Sequence, residues 1–169
     1  MMNNLSQKVS VIEKIGYSLG DLAANLIFQT LMPFLAFFYT DVYKIPPATA
    51  SAIIFAGGML GAFFKPVMGI IADRTQTRWG KFRPWILFGA IPYAVLAILT
   101  FTTPDFGEVG KIIYAGATYV LLMTAYAFIN LPYSALGAVM SADTYERAGL
   151  NTYRFIAGFI GQFVVTGLA

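Results

Sequence analysis

Five apolar runs, each long enough to cross a lipid bilayer, follow one another along this chain with only short polar connections between them. About twenty apolar residues span a hydrocarbon core of roughly 30 Å, and the runs lie near 15–40, 48–72, 84–103, 111–140 and 150–169. Backbone N–H and C=O groups in lipid must be satisfied within their own segment, so runs of this kind form helices. The expected fold is an all-α integral membrane bundle occupying residues 1–169 as one transmembrane unit. Composition supports a lipid solvent, because 58% of the residues are hydrophobic and 11% are charged, against about 25% charged in soluble domains.

Residue types narrow the chemistry. The sequence has no cysteine and no histidine, which removes disulfides, thiol nucleophiles and the usual zinc and haem ligands. No nucleophile and base stand at useful spacing, so the chain reads as neither an enzyme nor a metal or cofactor protein. The net charge of +3 comes largely from one short connection, where Arg74, Arg78, Lys81 and Arg83 fall together. That concentration marks topology and not a nucleic-acid partner. With Lys8 and Lys14 before the first run, it places the amino terminus on the cytoplasmic side of a cell or inner membrane crossed several times. The last run continues to Ala169 without a polar stop. An odd number of spans ending so predicts truncation within the fifth helix, with a carboxy-terminal bundle missing.

Ionisable residues at bilayer depth are costly and read as functional, or as paired inside the bundle. Three qualify: Asp21, Lys65 and Arg154, each about 10–14 Å from the cytoplasmic edge at 1.5 Å per residue. In the first run Ser18, Asp21, Asn25 and Gln29 recur at helical spacing as a polar stripe. In the second, Gly58, Gly61 and Lys65 share a face. In the fourth, Tyr119, Met123, Tyr126, Asn130 and Tyr133 form an aromatic stripe around an amide. The fifth aligns Asn151, Arg154, Gly158 and Gly161. The third has neither charge nor amide in its middle and is expected at the periphery.

Two accounts of these stripes stand side by side. The three charges can simply pair and fasten helices together, and Tyr119 and Tyr126 can be core packing. Alternatively they line an aqueous cavity, an account favoured by amides in excess of what charge neutralisation needs. A sugar suits such a lining, with carboxylate and guanidinium binding hydroxyls and aromatic faces meeting the C–H surface of the ring. Pro132, just after Asn130, removes a backbone hydrogen bond and is expected to kink the fourth helix. Gly69, Asp73, Arg74, Arg78 and Lys81 stand at the cytoplasmic mouth, where Asp73 can cap a helix or pair with an arginine and latch one conformation.

The stretch from Gly69 through Asp73, Arg74, Arg78, Trp79, Gly80, Lys81, Phe82 and Arg83 to Pro84 and Trp85 resembles the signature loop of the glycoside–pentoside–hexuronide:cation symporters. These form the melibiose-carrier branch of the major facilitator superfamily. Gly16-Tyr17-Ser18-Leu19-Gly20-Asp21, Phe38-Tyr39-Thr40-Asp41-Val42, Leu131-Pro132-Tyr133 and Glu146-Arg147 with Arg154 agree with it. The resemblance implies the first five helices of a twelve-helix transporter that moves a sugar by alternating access in symport with a cation. Asp21 and Arg154 match the family's sugar-binding carboxylate and arginine, and Tyr126 matches a tyrosine near the sugar. The melibiose carrier has a lysine at the position of Gly20 and a tryptophan at that of Ser134.

Coupling is where the chain departs from the resemblance. The carboxylates that hold the cation in the melibiose carrier are replaced here by Gly61, Lys65 and Asn130. A Na+ site needs hard oxygen ligands, and an ammonium in that place repels the ion. The expectation is that Lys65 acts as a tethered cation that neutralises Asp21, leaving transport coupled to H+ or to no ion, with Na+ disfavoured. A substitution that merely inactivates coupling is the alternative. Two other functions remain: a non-transporting sugar receptor, and a lipid-type carrier of the same fold.

Overall fold

The computed structural model describes residues 10–78, 80–141 and 143–167. They form five long helices: α1 (Val11–Phe37), α2 (Pro47–Arg74), α3 (Arg83–Thr100), α4 (Glu108–Met140) and α5 (Thr144–Gly167). A π-helical turn, Phe38–Val42, continues α1. Each coincides with one of the apolar runs. Three helices, α2, α3 and α4, are long and apolar enough to cross a membrane, and a fourth span is reached if Val11–Leu31 and Phe34–Val42 are taken as one bent span. The fifth run is helical but more polar than the sequence expectation implied, since α5 carries Glu146, Arg147, Asn151, Arg154 and Gln162.

Local chemistry sets the helix ends. At the start of α1, the Ser10 backbone N–H donates to the Glu13 carboxylate at 2.9 Å, and the Glu13 N–H donates to the Ser10 hydroxyl at 3.2 Å. This reciprocal capping box satisfies two donors that the first turn would otherwise leave open. At α5 the Asp143 carboxylate accepts the Tyr145 N–H at 2.8 Å, which starts the helix six residues before the apolar run at 150. Lys44 takes a φ of 59°, a left-handed conformation. It reverses the chain after the π turn and lets the Ile45 N–H reach the Tyr39 carbonyl at 2.8 Å.

The chain divides into two compact units, Leu31–Pro132 and a second made of Met1–Thr30 with Tyr133–Ala169. In the first, α2 packs on α4 through its glycines. Gly57 lies under the ring of Tyr119, a Cβ on Gly61 would stand 3.0 Å from that of Met123, and one on Gly69 would meet Leu131 at 3.3 Å. The partners advance in the same order with a constant offset, as two parallel helices require. By contrast α3 runs against α4, with Trp85 facing Phe128, Tyr93 facing Tyr126 and the Tyr114 hydroxyl donating to the Leu99 carbonyl at 2.9 Å. Parallel for α2 and antiparallel for α3 is the arrangement that successive crossings of one layer produce. The same unit is tied at its other end, where the buried Tyr39 hydroxyl donates to the Ala115 carbonyl at 3.2 Å and Tyr43 donates to that of Pro104. Burial, with Tyr114 nearby, pushes the Tyr43 phenol above its usual range, so it stays a neutral donor.

In the second unit α1 and α5 also run parallel. A Cβ on Gly149 would stand 3.5 Å from Lys14 Nζ, and one on Gly161 would press on Leu22 at 2.9 Å. Lys14 and Glu146 form an ion pair of 2.6 Å with both side chains largely buried. The last residues of α4 run against α1, where Gly137 and Gly20 make room for Tyr17 and Tyr133.

Candidate functional site

Arg154 is the centre of the second unit's polar cluster. Its guanidinium carbon lies 5.6 Å from the centroid of Tyr17 and 5.2 Å from that of Tyr133. The two rings stack at 4.5 Å with 1° between their planes. The Tyr17 hydroxyl donates to the Tyr133 carbonyl at 2.9 Å, which ties the α1 ring to the α4 backbone. A guanidinium held beside two locked, stacked aromatic rings loses little freedom when it meets a ligand, and its planar fork keeps its bidentate geometry. Asp21 stands one helical turn beyond Tyr17 on α1; its side chain lies outside the described residues. Asn25, a further turn along, is half-buried.

Tyr17 was missed by sequence reasoning, which followed Ser18, Asp21, Asn25 and Gln29 and passed over the aromatic four residues before Asp21. That i, i+4 relation to Asp21 was the available signal. Ser18, in contrast, is buried and donates its hydroxyl to the Lys14 carbonyl at 2.8 Å. It belongs to the helix's own bonding.

The unit of residues 31–132 holds the remaining candidates. Asn130 donates through its amide nitrogen to the Tyr126 hydroxyl at 3.1 Å, and the Tyr126 ring lies 6.0 Å from that of Tyr93. Both Tyr126 and Asn130 are half-buried, so the amide and phenol are linked and still reachable. Tyr119 and Met123 resolve differently. Both are buried against α2 glycines, which makes them packing residues. Pro132 is buried and α4 remains helical through it.

Lys65 lies on α2 about 40° round the helix from Gly61 at 100° per residue. It is exposed and makes no ion pair among the described residues. Neighbouring Gly58 opens on free space. The lysine therefore flanks the packed α2–α4 seam. The large apolar residues Phe55, Met59, Phe63 and Ile70 cover the opposite side of α2.

At the α2–α3 connection Asp73 pairs with Lys81 at 2.8 Å. The expected arginine partner is replaced by this lysine because Gly80, at a φ of +99°, and the Thr77 hydroxyl bonding the Gly80 carbonyl at 2.7 Å turn the loop back toward the end of α2. Arg74 and Arg78 are exposed, and Arg74 makes no ion pair among the described residues. Gly69, one turn earlier, is the point where Leu131 approaches α2. Trp79 lies outside the described residues.

Residues 16–169 match the family described as MFS/sugar transport protein. The chain belongs to that family. It is 44% identical over 163 residues, 96% of its length, to the inner membrane symporter YicJ of Escherichia coli strain K12. It is 36% identical over 93% of its length to the isoprimeverose transporter of Lactiplantibacillus pentosus, and 36% identical over 90% to a glucuronide carrier protein homolog of E. coli strain K12. The chain spans about a third of these relatives, 35%, 33% and 34% of their lengths. The all-helical fold is thus the amino-terminal part of a major facilitator fold, and the relatives are transporters, not enzymes. The resemblance carried by the Gly69–Trp85 stretch is that of a true family member.

Proposed function

We propose that this chain contributes the amino-terminal bundle of a secondary active transporter that carries a glycoside, pentoside or hexuronide by alternating access. The observation that carries the reading is Arg154, clamped against the stacked Tyr17 and Tyr133 with Asp21 one turn away on α1. A sugar hydroxyl pair suits such a guanidinium, and the relatives named for isoprimeverose and glucuronide bring the same solute class. In the unit of residues 31–132, Tyr126 and Asn130 carry a phenol and an amide of the kind that binds sugar hydroxyls, and Asn25 extends the polar stripe on α1. The amino terminus faces the cytoplasm on the strength of Arg74, Arg78, Lys81 and Arg83 in one connection.

Coupling runs through H+ or no ion, and Na+ is not required. Lys65 supplies a fixed positive charge where the melibiose carrier places a cation-binding carboxylate, and it is exposed and makes no ion pair among the described residues. Asp73 with Lys81 forms a light latch at the cytoplasmic mouth, flanked by Gly69, Arg74 and Arg78. Alternating access needs the companion bundle as well. The test is uptake of labelled pentosides, galactosides and glucuronides into vesicles by the whole transporter, with and without Na+ and a pH gradient. Uptake of one class that follows the pH gradient or ignores both ions is expected. Uptake that Na+ stimulates severalfold defeats the assignment of Lys65.

A further inference from the structure

A cavity of about 380 Å³ lies between α3 and α4, lined by Trp85, Phe88, Pro92, Leu96, Leu121 and Phe128 among others. It is far from Arg154 in chain terms and belongs wholly to the unit of residues 31–132. Its walls are apolar, and the Thr124 hydroxyl within it is already bonded to the Val120 carbonyl. Its shape is set by chain direction. Trp85 and Phe128, with rings 6.2 Å apart, stand at the end where α3 begins, and Leu96 and Leu121 stand at the other. From Trp85 to Leu96 is about 16 Å along the helix at 1.5 Å per residue. One leaflet of a bilayer with a hydrocarbon core of about 30 Å has about the same depth.

Two features distinguish the Trp85 end. The indole N–H of Trp85 is buried and has no hydrogen-bond partner among the described residues, a cost that a ligand oxygen would relieve. Next to it in the chain are Arg83 and Lys81, with Arg74 and Arg78 in the same connection. Arg83 and Arg74 make no ion pair among the described residues. We propose that the α3–α4 groove is a binding site for one anionic glycerophospholipid. One acyl chain lies from Trp85 to Leu96, the Trp85 N–H donates to a headgroup phosphate or ester oxygen, and Arg83 with its basic neighbours faces the headgroup charge. The length selects an acyl chain, the basic end selects an anionic headgroup, and the unpartnered N–H supplies a point of attachment.

The chain contains two tryptophans, which makes the site directly observable. In the W79F chain Trp85 is the sole tryptophan, and phospholipids brominated on the acyl chain quench it on contact. The chain is placed in phosphatidylcholine vesicles containing increasing brominated phosphatidylglycerol or, in parallel, brominated phosphatidylcholine. Half-maximal quenching is expected at about a fivefold lower mole fraction of the anionic lipid, the gain of roughly one basic contact near the surface. Arg83→Gln, an exposed change that leaves the fold intact, should bring the two curves together. Ala125→Phe, which fills the groove, should weaken quenching by both lipids at unchanged helix content by circular dichroism. Superimposable curves for the two lipids in the W79F chain, or a preference that survives Arg83→Gln unaltered, would overturn the proposal.

Discussion

Gly57 of α2 sits directly beneath the aromatic ring of Tyr119 of α4, so close that a Cβ at that position would overlap the ring. In a bilayer, helices associate through close packing of small residues, because lipid tails compete with every apolar contact. Gly57→Ala should therefore push the ring away and cost about 1–3 kcal/mol through overpacking. Gly58→Ala, where nothing lies within 4 Å, should be neutral or stabilising by about 0.5–1 kcal/mol, as for any helical glycine. Thermal unfolding in detergent separates the neighbours, and equal effects at both positions would mean that the seam is loose.

Arg154 and Tyr17 make different contributions and should fail differently. Arg154→Lys keeps the charge but loses the planar fork, so sugar affinity should drop at least about tenfold, near 1.4 kcal/mol. Tyr17→Phe keeps the ring beneath the guanidinium and loses only the hydrogen bond to the Tyr133 carbonyl. It should cost about 1 kcal/mol of stability with little loss of affinity. Sugar binding by calorimetry on the whole transporter, beside unfolding of each variant, reads the two apart.

The Asp73–Lys81 pair is 71% and 40% exposed, so its contribution to stability is below about 1 kcal/mol. Asp73→Asn should leave the melting temperature within about a degree or two. As a latch, it should still alter the rate of exchange between inward-open and outward-open forms. Counterflow assays with the whole transporter check this, and unchanged counterflow would reduce the pair to surface decoration.

Each apolar run coincides with a helix among the described residues, and α2, α3 and α4, with α1 as a fourth when its bent pair is one span, have the length and apolarity that bilayer thickness dictates. Interior polarity marked Arg154, Tyr126 and Asn130 as candidates, and the structure places Arg154 beside Tyr17 and Tyr133 and bonds Asn130 to Tyr126. What spacing could not separate was a stripe that lines a cavity from one that packs on a neighbour. Tyr119 and Met123 follow the same period as Tyr126 and Asn130, yet the first two press on α2 glycines and the last two bond to each other. On α2 the buried Gly57 and Gly61 lie beside the arc of the exposed Gly58 and Lys65, and only the partner helix decides which is buried. The start of α5 was invisible to an apolar count because Asp143, a polar cap, sets it. The ion pair of Lys14 with Glu146 joins residues distant in sequence, and Lys14 by itself reads only as a topology charge.

The capping box at the start of α1 gives a local test. Ser10→Ala removes the hydroxyl that accepts the Glu13 N–H, and the first turn should fray. Amide hydrogen exchange at residues 11–14 should accelerate while exchange in α4 stays unchanged. Glu13→Gln retains an acceptor for the Ser10 N–H and should preserve most of the protection.

Lys65 offers the sharpest contrast between a working charge and an accidental one. On α2 it stands beside the packed seam and away from the apolar side that carries Phe55, Met59 and Phe63. If its ammonium takes the place of a coupling cation, Lys65→Gln should lower sugar affinity in the whole transporter by about tenfold, equivalent to about 1.4 kcal/mol. Lys65→Arg, which keeps the charge, should retain most of it. An idle lysine predicts the reverse: Lys65→Gln would leave affinity untouched and raise stability, since a charge at bilayer depth costs about 2.5–3.5 kcal/mol on insertion scales. The two accounts thus differ in whether Lys65→Gln lowers sugar affinity, and measuring binding beside stability in Na+-free buffer decides between them.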